Sequence, residues 1–198
     1  MSKYITLPKS RSDHIRKYDR RFGWSIDITA EGNIIVLGAP GYSNNTDRPG
    51  YIGVFSLVSN DEAGDDTWNQ IGQVIIGEAN GDEFGFSVSI SEDGKIIAVI
   101  VINSAKYNLG YVRIYCLDDD GTSWEQIGKD IDGEAAVDNF GLSVSLSANR
   151  STIAIGAPYN NDNIDASFQF QVVVYKIDTV KGQAGNCWSR HPRRQCRR

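Results

Sequence analysis

A four-residue element, Phe-Gly-x-Ser, occurs three times, at residues 22–25, 84–87 and 140–143, so that successive copies start 62 and 56 residues apart. Near-constant spacing of this size describes an array of similar supersecondary units. Such a unit cannot bury its apolar face alone and has to stack on its neighbours. The glycine lets the chain turn sharply where each unit begins, and the Phe is suited to filling the space between units.

The middle unit shows the pattern most fully. From Phe84 onward, Phe86, Val88 and Ile90 alternate with Ser87, Ser89 and Ser91, a period of two that predicts a first strand. Glu92-Asp93-Gly94-Lys95 supplies a turn, with Gly94 free to take the positive φ of a tight hairpin. Residues 96–102 are all apolar and largely β-branched, which predicts a second strand buried on both faces. Residues 110–117 alternate again as a third strand, the acidic turn Asp118-Asp119-Asp120-Gly121 follows, and residues 124–128 make a short fourth. The flanking units repeat these parts in order. Residues 34–37 and 152–155 match the second strand, and 51–57 and 170–177 the third. Trp68-Asn69-Gln70-Ile71-Gly72 matches Trp124-Glu125-Gln126-Ile127-Gly128, and Gly77-Glu78-Ala79 matches Gly133-Glu134-Ala135. Four short antiparallel strands per unit, with no helical periodicity between them, predict an all-β, β-propeller-type array of about three four-stranded blades, starting near residues 22, 84 and 140.

Phe-Gly at the start of each unit, with Gly38-Ala39-Pro40 and Gly156-Ala157-Pro158 after the second strand, resembles the FG-GAP repeats of integrin α propeller heads over residues 20–178. The middle unit departs from that pattern, with Val101-Ile102-Asn103 read in the Gly-Ala-Pro place. The resemblance implies a non-catalytic binding, adhesion or scaffold module of a larger surface or extracellular protein, with a protein or glycan ligand held by loops on one ring face. It also implies Asp/Asn-rich calcium loops between second and third strands. Asn161, Asn163 and Asp165 have the alternate spacing of such ligands and are the expected Ca²⁺ positions, with Asn44-Asn45-Thr46-Asp47 the weaker counterpart. Two rival readings are a glycan-binding lectin that completes its ring by oligomerisation, with Trp24, Trp68 or Trp124 lining pockets between blades, and an accessory domain of an enzyme such as a phospholipase.

Known rings use ~4–8 blades, so three units predict an incomplete propeller, either a fragment or a ring completed by several copies of the chain. The expected division is an N-terminal segment 1–19, the repeats 20–180 and a basic tail 181–198. The tail carries Lys181, Arg190, Arg193, Arg194, Arg197 and Arg198 and no acid; without those six cations the net −5 of the chain becomes −11 for residues 1–180. Such an acidic body argues against repeats that bind nucleic acid or anionic lipid, and the tail reads as a truncated or misread terminus. No apolar run reaches the ~20 residues of a membrane-spanning helix, and residues 1–10 lack the apolar centre of a secretory signal. Cys116, Cys187 and Cys196 are too few for a disulfide framework, and Cys187, His191 and Cys196 lack a fourth zinc ligand. His14 and His191 are the only histidines and both fall outside the repeats, so no catalytic set is expected. The sequons at Asn44 and Asn149 would be modified only in a secreted protein.

Overall fold

A computed structural model describes residues 21–41, 49–59, 66–103, 109–133, 140–158, 171–177 and 188–190. The fold is all-β, with no helix among the described residues, and consists of three antiparallel sheets in chain order. The first holds β1 (Ser25–Ile28), β2 (Ile34–Ala39), β3 (Tyr51–Val58) and β4 (Thr67–Ile76). The second holds β5 (Val88–Ile90), β6 (Ile96–Asn103), β7 (Leu109–Leu117) and β8 (Trp124–Gln126), with β9 (Ile131–Asp132) also paired to β7. The third holds β10 (Ser143–Leu146), β11 (Thr152–Ala157), β12 (Gln171–Ile177) and β13 (Trp188–Arg190). Each sheet is a simple meander in which neighbours in sequence are neighbours in space. Tight turns join the first and second strands of each sheet and dictate that pairing.

Two apolar layers lie between the sheets. Val36, Ile52 and Val54 of the first sheet pack on Val88, Ile90, Ile97 and Val99 of the second. The opposite side of the second sheet, Ala98, Ile100, Val112 and Ile114, packs on Ile153, Ile155 and Val173 of the third. The middle sheet is therefore covered on both faces, and Ile96 through Val101 are at most 2% exposed. That is the physical reason its second strand reads as a continuous apolar run rather than an alternating one.

The Phe-Gly element joins one sheet to the next. The Phe84 amide donates to the Pro49 carbonyl at 2.9 Å, and Gly50 forms a parallel bridge with Phe84, so the first residue of the middle unit is stitched to the third strand of the unit before it. Phe84 is completely buried, and its ring meets Tyr115 edge-on with centroids 6.2 Å apart. A Cβ on Gly77 would lie 2.6 Å from the Phe84 Cβ, and one on Gly133 would lie 2.7 Å from the Phe140 Cβ. The glycine that opens the shared Gly-Glu-Ala motif is therefore a cradle for the next unit's Phe. Gly23, Gly85 and Gly141 then take φ of 86°, 88° and 90°, the left-handed region that only glycine enters at no steric cost.

This turn corrects the predicted first strand. Strand pairing starts at Val88, not Phe84, because the Gly85 turn intervenes and the Phe86 amide is engaged by the Glu83 carbonyl. Phe86 consequently packs with the layer between the second and third sheets, while Val88 and Ile90 face the first. The fourth strand also differs, since the middle sheet breaks it into β8 and β9 where the first sheet runs it unbroken as β4. Register moves the Gly-Ala-Pro equivalence by one residue: Ser25, Ser87 and Ser143 lie opposite Gly38, Ile100 and Gly156, so Ile100-Val101-Ile102 occupies the place expected for Val101-Ile102-Asn103.

If the Phe cradle holds the sheets together, Phe84→Ala should lower stability by about 3–5 kcal/mol, the range for removing a buried Phe. Denaturant unfolding measures it; a loss below about 1 kcal/mol would contradict the role.

Candidate functional site

Two groups of polar side chains depart from the repeat. Both involve the middle unit.

The first lies in the layer between the first two sheets. Arg113 on β7 occupies the register position held by Gly53 in the first sheet and Val173 in the third, opposite Val99 as those are opposite Leu37 and Ile155. Its guanidinium is buried and forked: Nε and Nη2 donate to Asp130 at 2.8 and 3.0 Å, and Nη1 reaches Glu78 of the preceding unit at 2.8 Å. Burial alone would weaken the cation, but the hydrogen bonds to Asp130 and Glu78 outweigh it and hold Arg113 above its ordinary value. Arg113 also lies 5.2 Å over the Tyr111 ring, whose hydroxyl approaches the buried Asp82 at 3.5 Å. Burial raises the Tyr111 hydroxyl, so this phenol stays protonated at neutral pH. Arg113 is buried and fully paired, and through Asp130 and Glu78 it clamps two sheets.

The second group lies at one end of the sheets, where the three first-to-second-strand hairpins come together. Residues 29–34, 91–96 and 147–152 are equivalent turns, and Glu31, Asn33, Glu92, Asp93, Asn149 and Arg150 line an open groove of about 570 Å³ between them. The tips are tied across units. Both Glu92 carboxylate oxygens accept the Ala30 amide at 3.1 Å, the Glu92 amide donates to the Ala148 carbonyl at 3.2 Å, and Arg150 pairs with Asp93 at 3.0 Å. Within the tips, Asn33 Nδ2 donates to Glu31 at 2.9 Å and Asn149 Oδ1 accepts from Ser147 and Ser151. The first two turns carry glycine at their left-handed position, Gly32 with φ 70° and Gly94 with φ 67°; the third carries Arg150 with φ 65°. An arginine held there costs roughly 1 kcal/mol or more of backbone strain. Its side chain is thereby aimed at the middle tip and the groove.

Several sequence expectations meet the structure here. Asn161, Asn163 and Asp165, the expected calcium positions, lie outside the described residues, as do Asn44-Asn45-Thr46-Asp47, both histidines, Cys187 and Cys196. The acidic turn after β7 is local construction, with Asp118 accepting from the Thr122 amide at 2.7 Å and from its hydroxyl at 3.0 Å. Trp124 is committed to the sheet junction: its indole donates to the Ile71 carbonyl at 3.0 Å, and its backbone exchanges two bonds with the Gln73 side chain. Cys116 is half-buried, and burial raises its thiol, which leaves it a poor nucleophile. Arg113 and Arg150 were both missed by motif reading, although each is a charge standing where its repeat partners carry glycine or an apolar residue.

No family model matches the chain and no curated protein matches it. Solved structures do. A proposed 6-phosphogluconolactonase from Bacteroides uniformis superposes with a TM-score of 0.51 at 13% identity, covering 91% of this chain and 43% of that one. A hypothetical selenium-binding protein from Sulfolobus tokodaii gives 0.42 at 9% identity, over 74% of this chain and 35% of that one. The chain thus spans less than half the length of either. The first likeness is one of fold, and it corrects the expectation of a non-catalytic adhesion or scaffold module together with its two rivals: the sheet array is shared with a proposed lactonase, and an integrin-like role does not follow from it.

The clamp generates a ranking. Glu78 is 68% exposed and Asp130 27%, so Glu78→Ala should cost within about 1 kcal/mol, as exposed pairs do, and Asp130→Ala about 3 kcal/mol. Thermal unfolding checks the order; equal losses would contradict it.

Proposed function

We propose that the chain supplies three blades to a propeller of lactonase-like architecture, and that the hairpin groove is where this part of the ring holds a small, uncharged, hydroxyl-rich substrate such as a sugar lactone. The observation that carries this reading is Arg150, kept in a left-handed conformation where the two equivalent turns use glycine. Strain at a turn that glycine would relieve points to use of the side chain rather than to folding.

The groove supports the substrate class. Its volume of about 570 Å³ lies within the ~300–1,000 Å³ of small-molecule sites, and carboxylates, amides and one guanidinium converge there from all three units. Hydroxyl groups can both donate to the carboxylates and accept from the amides and Arg150. Glu31, Glu92 and Asp93 outnumber Arg150, which is itself paired, so a phosphorylated sugar meets net repulsion. The reading assigns binding and orientation to this chain and no catalytic residue. Blades of FG-GAP-like construction fit the same account, because the Phe-Gly cradle concerns how blades are joined and not what they bind.

The test separates folding from function at one residue. Arg150→Gly should leave the melting temperature unchanged or higher, since it relieves a strained φ and removes only a surface pair. The same variant should bind D-glucono-1,5-lactone at least tenfold more weakly, followed through the amide resonances of Ala30, Glu92 and residue 150. Unmodified protein should favour the lactone over its 6-phosphate. Absence of binding to the unmodified protein, or preference for the phosphate, would overturn the reading.

A further inference from the structure

The three hairpin tips around the groove are built alike but do not carry the same chemistry. In register, residues 31, 93 and 149 are equivalent, as are 32, 94 and 150. The first position runs Glu31, Asp93, Asn149, two carboxylates and then an amide; the second runs Gly32, Gly94, Arg150. With Glu92 also on the middle tip, carboxylates line the groove at its first two tips, and the one guanidinium among its lining residues stands at the third. Ionised carboxylates only accept hydrogen bonds, and a guanidinium only donates them. The groove therefore has an acceptor end and a donor end.

Asn149 extends the donor end. Its Oδ1 accepts the Ser151 amide at 3.1 Å and the hydroxyls of Ser147 and Ser151 at 2.8 and 2.7 Å. Because a backbone N–H can only donate, these bonds fix which way round the side-chain amide sits, and Nδ2 is left without a partner among the described residues. Asp93 holds its own turn in the same way, with Oδ1 accepting the Lys95 amide at 3.2 Å and the Ser91 hydroxyl at 2.7 Å, so one oxygen at this position is all that the turn requires. Arg150 commits Nη1 to Asp93 and keeps other N–H groups of its fork. At the opposite end Glu31 accepts from Asn33 through Oε2, and the two oxygens of Glu92 share a single amide, that of Ala30, so both carboxylates retain accepting capacity.

We infer that the groove takes its lactone in one direction, with the carbonyl oxygen at the third tip, read by Asn149 Nδ2 and the Arg150 guanidinium, and the ring hydroxyls at the first two tips, read by Glu31 and Glu92. This rests on the lactone reading of the groove and adds an orientation to it. A lactone carbonyl oxygen can only accept; beside Glu31 or Glu92 it would face lone pairs, whereas a hydroxyl donates to them. Turning the ligand round would leave the carbonyl unbonded against negative charge, and an unmet polar group costs more than a made bond gains. Asn149 is thereby a specificity residue, one that tells a lactone from the same ring without its carbonyl.

Two ligands separate these roles: D-glucono-1,5-lactone, and 1,5-anhydro-D-glucitol, which has the same ring hydroxyls and a methylene in place of the carbonyl. Asn149→Asp keeps the oxygen that holds the turn, as Asp93 does in the middle unit, and replaces the donor with an acceptor. It should weaken the lactone at least about tenfold and the anhydroglucitol by less than about twofold. Glu31→Gln should weaken both alike and leave their ratio unchanged. Titrations of the full chain are followed at the Ala30 and Ser151 amide resonances, one beside each end of the groove. An Asn149→Asp loss shared equally by the two ligands, no loss with either, or a Glu31→Gln loss confined to the lactone would overturn the orientation while leaving lactone binding by the unmodified protein in place. Failure of the unmodified protein to bind the lactone would instead overturn the substrate reading, and the orientation with it.

Discussion

The architecture depends on one recurring contact, an aromatic ring pressed into a cradle that has no side chains. Phe84 and Phe140 sit against Gly77 and Gly133 of the unit before, and an added Cβ at either glycine would overlap the ring's own Cβ. The ring brings a large apolar area out of water, and the glycines let backbone and ring meet closely enough to exclude it. Because the Phe begins its unit, the contact also fixes where the following first strand starts. Position in sequence, packing between sheets and register within a sheet are thus set together. Sheets built this way are stable only as neighbours, the usual condition of repeat proteins.

Against that uniform construction, the departures carry the information. Arg113 replaces a small or apolar residue on a buried strand and is tolerated because Asp130 and Glu78 satisfy its fork from two different units. Arg150 replaces a turn glycine and is tolerated only with strain. The first serves cohesion, being enclosed and fully paired. The second lines an open groove and pairs there with Asp93 of the neighbouring tip.

Much of the fold was legible because it follows short-range rules. The hairpin turns, the doubly buried run at 96–102 and the matched Trp-x-Gln-Ile-Gly segments follow from periodicity and turn chemistry, and β6, β7 and β8 fall close to where these placed them. Phe86 was misassigned because alternation assumes an extended chain, whereas the φ of Gly85 flips the chain just before the strand begins. The one-residue offset at Ile100 was invisible because an all-apolar strand carries no alternation to anchor its register. The groove was not legible at all. Its lining residues are about 60 residues apart in sequence and meet only because equivalent hairpins stack side by side, and Arg150 looked ordinary until its backbone angle was known. The adhesion role failed for a different reason, since a motif that specifies how sheets are joined says nothing about what they bind.

Native-state hydrogen exchange tests the central claim most directly. The amides of Phe84, Ile90, Trp124 and Leu146 bond across the sheet junctions, while those at the centres of β6 and β7 bond within one sheet. If the Phe-Gly contact makes the sheets a single cooperative unit, junction and strand-centre amides should exchange with opening free energies equal to within about 1 kcal/mol. Junction amides that exchange orders of magnitude faster while the strand centres stay protected would show sheets that stand alone, and would contradict the account.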